Sequence, residues 1–448
     1  MKTQKLTTIT LLIAFLSLSL LPFTPLLSYD YHNHQRILQI VLLLSLSFIF
    51  TMSLYIQKSV KYLEADKINI TISFLIFIFL GVIASIFSDE ITFSLFYTFH
   101  IFLLILALDL ISSLNDKNST QLLIYALVIA HTGLVLICLL NIIFTLFEQQ
   151  PLNPYIIYSG FINIRFFNQV QVFVLPFLIL LLKFKNIQRI VFFVLFLNFL
   201  LILIGQARGA LLSFLAISLL ALMLKSTLKK QVFAGLVCLV LSIVAFYGLD
   251  SLNQSGTDIT RTSTSGRIDL WLTTLSNLTL KNIFIGNGPG IFEMPLGNSA
   301  PLSHPHNSLI EVLNEWGFIA LISFLAAIIF TIKQALSHIK KYKKDIITES
   351  ILYSFLIGIT YSLFSGVHVM PVSQTLLFIM WGLLLGRVTK QGQKGRYILG
   401  YKIKFIITLF LIIAWYFYIQ EAIEIYNNIN PDNGYIYGPR FWSIGQRY

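Results

Sequence analysis

Long apolar runs separated by short polar breaks dominate this chain. They lie at 6–28, 37–56, 70–87, 91–111, 122–147, 170–182, 190–205, 209–224, 231–249, 318–332, 351–366, 375–386 and 405–418, thirteen in all. A bilayer core takes about 20 apolar residues as a helix. Backbone in lipid must satisfy its own hydrogen bonds, and unbroken runs do so as helices rather than barrel strands. The pattern therefore predicts an all-α polytopic membrane protein of about 12–13 transmembrane helices. The runs that begin at Val170 and Thr375 are short and need flanking residues to span. The first run follows Lys2 and Lys5 and reads as an uncleaved helix, because no small-x-small cleavage site follows it. Two irregular stretches stand out, 147–169 and 250–317. The expected organisation is an N-terminal helix bundle (1–249), one large loop (250–317), C-terminal membrane helices (318–419) and a tail (420–448).

Composition agrees with this reading. Of the 448 residues, 56% are hydrophobic and only 11% charged, against roughly 25% charged in soluble domains. The net charge of +12 would suit a nucleic-acid partner, but lysine and arginine sit in short breaks between runs, where they set orientation. No nucleic acid is expected, and membrane lipids are the bulk partner. With the N-terminus in the cytoplasm and alternating runs, the inner segments hold 23 Lys/Arg and the outer ones 8. This places 250–317, Arg165, Arg208, the segment 368–374 and the tail on the outer side. Cys138 and Cys238 both lie inside apolar runs and read as small buried hydrophobes.

The outer residues carry the chemistry. Seven of the eight outer cations are arginine, whose planar fork grips phosphate and keeps its proton. Arg208 sits in Gly205-Gln206-Ala207-Arg208-Gly209, a break so short that its charge must lie at the membrane edge; a snorkelling arginine is the plain alternative. Arg165 lies in Asn163-Ile164-Arg165-Phe166-Phe167-Asn168-Gln169, either an aromatic belt or a cationic, amide-rich pocket. Arg267 follows Ser265-Gly266. Ser265 reads as a helix N-cap, with Ile268, Trp271, Leu272 and Leu275 on one apolar face. Gly286-Asn287-Gly288-Pro289-Gly290 is a turn and lacks the lysine of a nucleotide loop.

His304 and His306 flank Pro305, which argues for an extended or turn segment. No further ligands stand at metal spacing, so no metal and no cofactor is expected. A histidine outside the membrane beside arginines suits general-base work, because its pKa lies near ambient pH. After Asn307 a helix is expected, with Leu309, Val312, Leu313 and Trp316 on its apolar face and Glu311 and Glu315 on another.

In these residues the chain resembles the O-antigen ligase superfamily. The family signature is a histidine followed by Asn, Ser or Gln, nine residues, then Gly-x-x-Gly. Here it reads His306-Asn307, nine residues through Trp316, then Gly317-Phe318-Ile319-Ala320, with Ala320 in place of the last glycine. Ser265-Gly266-Arg267 with Trp271, the Gly286–Gly290 turn with Phe292, Ala207-Arg208-Gly209-Ala210 and Arg165-Phe166-Phe167-Asn168-Gln169 are similar to family segments as well. The resemblance implies a GT-C-like membrane enzyme of the bacterial inner membrane with its active site facing the periplasm. It implies an inverting, metal-independent transfer of a glycan from undecaprenyl pyrophosphate to a hydroxyl acceptor: a lipid A-core sugar, a serine or threonine of a protein such as pilin, or a growing glycan. On this reading His306 is the general base. Arg165, Arg208 and Arg267 bind the donor pyrophosphate, and His304, Asn307 and Gln169 are supporting contacts. The tail segment Pro439-Arg440-Phe441-Trp442 is a candidate acceptor contact. An O-antigen polymerase and a polysaccharide or lipid transporter are the alternatives. A transporter more often shows internal repeats and midplane sites, whereas the ionisable groups here gather at one face.

Overall fold

The computed structural model describes residues 2–23, 31–56, 60–61, 65–114, 116–150, 152–224, 226–253, 266–296, 299–389, 396–397, 401–427 and 440–442. Each of the thirteen apolar runs is a helix: α1 (Lys2–Leu18), α2 (Tyr31–Ile56), α3 (Ala65–Ile86), α4 (Ile91–Ser112), α5 (Lys117–Phe147), then, after a short α6 (Pro154–Ile157), α7 (Ile164–Leu181), α8 (Gln188–Ile204), α9 (Arg208–Met223) and α10 (Lys229–Asn253). The long loop holds α11 (Arg267–Ser276), α12 (Leu280–Ile285), a hairpin pairing Met294–Leu296 with Ser299–Leu302, and α13 (Ser308–Trp316). The chain closes with α14 (Phe318–Lys341), α15 (Ile346–Ser362), α16 (Pro371–Val388) and α17 (Tyr401–Asn427). Among the described residues nine helices are long and apolar enough to cross a membrane, and α1, α8, α9 and α15 are apolar but shorter. The protein is thus an all-helical, polytopic membrane protein.

The two short runs do take flanking residues. α7 begins at Ile164 and α16 at Pro371, and both are buried along nearly their whole length. A helix apolar all round belongs at the centre of a bundle, and these two pack against each other and against α15. At their outer ends both carry polar side chains satisfied inside the protein. Gln169 donates to Ser365 Oγ at 2.8 Å and accepts from Ser373 Oγ at 2.7 Å. Gln374 donates to the His368 carbonyl at 2.7 Å.

Arg36 departs from the sequence expectation. It belongs to α2 rather than an outer loop, and it is fully buried. Hydrocarbon around a guanidinium demands internal acceptors. Arg36 finds them in the carbonyls of Phe441 (2.7 Å), Arg440 (2.9 Å) and Val369 (2.8 Å) and in Gln39 and Gln374. The tail is thereby fixed to the bundle.

The loop segments interlock at two glycines. The first residues of the Gly286–Gly290 turn donate to the last carbonyls of α13, Asn287 N to Asn314 O and Gly288 N to Glu315 O, both at 2.9 Å. These are carbonyls a helix end otherwise leaves unsatisfied. The approach requires glycine on both sides: a Cβ on Gly286 would lie 2.2 Å from Glu315 O, and one on Gly317 (φ +82°) 2.5 Å from Phe284 O. Ala320, by contrast, lies in α14 with ordinary helical backbone and is fully buried, so its position makes no conformational demand for glycine. Gly317→Ala is expected to destabilise the protein by at least about 1–3 kcal/mol, read as a lower melting temperature of the detergent-purified protein. Gly248→Ala, whose Cβ meets nothing within 4 Å, is the matched control and should not lower it.

Candidate active site

Three arginines stand in the first turns of three helices. Arg165 is the second residue of α7, behind an N-cap in which Asn163 Oδ1 accepts from Arg165 N at 2.9 Å. Arg208 opens α9 and Arg267 opens α11. Helix starts carry partial positive charge of their own. The guanidinium groups are close enough to repel: Arg267 is held below its ordinary pKa by burial first, then by Arg165 and Arg208. Among the described residues neither Arg165 nor Arg267 has a carboxylate within ion-pair distance, and Arg267 Nε is buried without a hydrogen-bond partner. Two like charges, Arg165 and Arg267, without an ion-pairing carboxylate among the described residues and beside Tyr361, make an arrangement chemically suited to an oxyanion.

His306 faces the same cluster. Its backbone is left-handed, φ +57°, a conformation non-glycine residues adopt at a cost and chiefly where surrounding contacts enforce it. Those contacts are plain. Arg440 donates to Ser303 O at 2.8 Å, Trp271 Nε1 to Pro305 O at 2.9 Å, and His306 N to His304 Nδ1 at 3.3 Å. Asn307 Oδ1 caps α13, accepting from Leu309 N and Ile310 N. The His304 and His306 rings meet edge to face with centroids 4.2 Å apart, and His304 is backed by Gly366, where a Cβ would lie 2.8 Å from its Cε1. Burial, then Arg267 and Arg165, lower the His306 pKa to about 3. Burial, then His306, push His304 well below the usual histidine range. Both imidazoles are therefore neutral near pH 7.

The predicted residues divide accordingly. Arg165, Arg208, Arg267, His304 and His306 come together. Asn307 serves as a helix cap, and Gln169 is buried between Ser365 and Ser373, bracing the turn between α15 and α16. The expected cap at Ser265 falls outside the described residues; the residue next to α11 is Gly266, at φ +71° and without a side-chain cap. The apolar face of α11 leaves Ile268, Leu272 and Leu275 exposed, while Leu270 and Thr274 are buried.

Four residues take places in the site that the sequence reading did not assign to them. α13 turns Glu311 and Glu315 inward together with Val312 and Trp316, whereas the apolar-face reading had put Leu309 and Leu313 there. Arg440, 3% exposed, ion-pairs with Glu311 at 2.8 Å and with Glu315. Glu311 also accepts from His368 Nε2 at 2.6 Å. Glu315 in turn accepts from Gly290 N and Phe292 N, which explains what the glycine turn supports. Arg440, Phe441 and Trp442 are all buried, so they are closed to an acceptor; Pro439 lies outside the described residues. The sequence signal for the pair was two glutamates one helical turn apart beside the histidine segment. Arg440 carried none beyond an arginine followed by two aromatics.

The family model for O-antigen ligase, Wzy_C, matches residues 192–325. No curated protein matches the chain. The matched region runs from α8 into α14 and holds Arg208, Arg267, His304, His306, Asn307 and both glutamates; Arg165, Gln169, His368 and Arg440 lie beyond it. Over these residues the chain is similar to the O-antigen ligases, a superfamily of membrane enzymes of the ligase or glycosyltransferase type.

Proposed function

We propose that this protein transfers a glycan from undecaprenyl pyrophosphate to a hydroxyl acceptor, a lipid A-core sugar or a protein serine or threonine, on the periplasmic face of a bacterial inner membrane. The observation that carries this reading is the gathering of Arg165, Arg208 and Arg267 at three helix starts beside His306. The arginines hold the pyrophosphate, and the apolar helices accommodate the polyprenyl chain. A glycosyl pyrophosphate is already activated, since its leaving group is a stable anion. What remains is to take a proton from the acceptor and to stabilise charge on the departing phosphate.

In the step itself the acceptor oxygen attacks the anomeric carbon from the side opposite the pyrophosphate. The new carbon–oxygen bond forms as the bond to the phosphate oxygen breaks, and that electron pair leaves with the pyrophosphate. The hydroxyl proton passes to His306. A single displacement of this kind inverts the anomeric centre. His306 is a weak base before the donor arrives, because burial and two arginines oppose its protonation. A bound pyrophosphate offsets the arginine charge and raises its basicity toward the limit that burial sets. The base is thus stronger with a donor in place than without one. A growing-glycan acceptor would make the same chemistry a polymerase, and the acceptor assay below separates the two.

Three outcomes are expected. In a strain lacking this chain, either glycosylated lipid A-core or glycosylated protein disappears; the gene restores it and His306→Ala, present at normal level, does not. Normal transfer by His306→Ala would end the assignment of the base. Sulfate, which does not titrate in this range, should bind the purified protein with proton uptake at pH values above about 3, where the free His306 is neutral. Its affinity should rise as pH falls, because an anion that raises the His306 pKa is bound more tightly by the protonated form. Calorimetry in buffers of different ionisation enthalpy reads the uptake. It should vanish in His306→Asn, and binding itself in the Arg165→Met/Arg267→Met double variant; unaltered binding there sinks the anion site. Finally, Asn277→Cys, in the α11 segment, should react with an impermeant maleimide in intact spheroplasts and Lys340→Cys only after lysis, Cys138 and Cys238 being buried. The reverse pattern would overturn the assignment of sides.

A further inference from the structure

The reaction above makes no use of the C-terminal segment, of Glu311 or of His368, yet these form the most heavily charged buried cluster of the outer face. Arg440 touches both carboxylates and lies over the Tyr97 ring, 5.1 Å from its centroid. Stability alone is a poor reason for such a cluster, because well-packed apolar groups in place of a buried ion network are often as stable or more so. Its geometry is that of an orienting chain. Glu311 divides its carboxylate, Oε1 to Arg440 and Oε2 to His368 Nε2. Arg440 and His368 hold Glu311 below the usual carboxylate range against the opposing effect of burial. An ionised carboxylate only accepts, so His368 donates to it from Nε2. Its Nδ1 is buried and has no hydrogen-bond partner among the described residues. His368 lies in the turn whose Gly366 backs the His304 ring, so its unpartnered nitrogen belongs to the same site.

Both ends of the chain are fixed by one residue. Arg36 binds the carbonyls of Arg440 and Phe441 on the tail and of Val369 next to His368. His32 Nε2 reaches Phe441 O at 3.2 Å, and Phe441 packs against His100 and Phe96.

We propose that Arg440 is a positioning residue of the active site: it fixes Glu311, Glu311 fixes the His368 imidazole, and the C-terminal segment thereby completes the centre. The inference rests on the reading of this site as an anion and proton-transfer centre. Without Arg440, Glu311 acts undivided on the imidazoles. The other charged groups around them, Arg165 and Arg267 on α7 and α11, Glu315 on α13 and Tyr97 on α4, stay in place.

The test uses full-length variants expressed in the deletion strain, assayed in membranes with the strain's own lipid-linked glycan, and sulfate binding to the purified proteins. Arg440→Met and Glu311→Gln should lower turnover about 100-fold, as loss of orientation does, with little change in donor KM or sulfate affinity. The acid limb of the Arg440→Met rate profile should move up by about one pH unit, since an unshared carboxylate favours the protonated imidazole. Arg440→Met/Glu315→Gln relieves the repulsion between the carboxylates while leaving the Glu311–His368 pair, and should fold and regain part of the activity. An Arg440→Met protein with wild-type turnover and pH profile overturns the proposal. So does an Arg440→Met/Glu311→Gln/Glu315→Gln protein as active as wild type, because the network would then serve the fold alone. Wild-type protein that fails to bind sulfate would instead count against the anion reading on which the proposal stands.

Discussion

The grip of Arg36 on three backbone carbonyls is the contact on which the half of the molecule that holds the site depends. A guanidinium inside a membrane helix has to be surrounded by acceptors, and the acceptors it finds are not local. They come from the turn before α16 and from the tail after α17. One residue of α2 therefore sets the positions of two segments that lie more than 300 residues further along the chain. Everything placed by those segments follows: His368 beside Val369, Arg440 against α13, and through α13 the turn that bears His306. The Gly286–Gly290 turn completes the arrangement from the other side by capping α13 and binding Glu315. The site is thus assembled by long-range polar contacts on a scaffold of apolar helices.

How much of this the sequence discloses depends on whether the determining contact is local. The thirteen helices are legible because span length and apolar content are properties of consecutive residues, and each expected run corresponds to a helix. The turn at His304-Pro305-His306 and the helix after Asn307 are legible for the same reason: a proline and a cap act within a few positions. The orientation of α13 is not. Read alone, its leucines should face inward and its glutamates outward. The structure buries the glutamates because Arg440 neutralises them, and Arg440 is 125 residues away from Glu315. Arg36 was assigned to a loop for a related reason. Hydropathy penalises an arginine in a span, and its compensating carbonyls are 333 to 405 residues distant. Sequence reasoning also credited Gln169 and Asn307 with ligand contacts that polar side chains near a site invite, whereas their partners are a serine pair and a helix end.

The arginines of the outer face fall into two kinds, and the difference is informative. Arg36 and Arg440 are enclosed by acceptors: carbonyls and amides for the first, two carboxylates and a carbonyl for the second. Their charge is neutralised or solvated within the protein, so they hold segments together and have little to offer a ligand. Arg165 and Arg267 are partly buried, lie near one another and near the Arg208 side chain, and have no carboxylate among the described residues. A folded protein gains nothing from bringing uncompensated like charges together at helix starts. On the proposed function, the anion is what makes the arrangement favourable. Burial first, and then the charge of Arg267 and Arg165, depresses the basicity of His306. Cation cluster and histidine are therefore one electrostatic unit. On the proposed function, an anion that offsets this charge relieves the arginines' share of the depression, burial keeping the rest, which couples base strength to occupancy without any movement of the backbone.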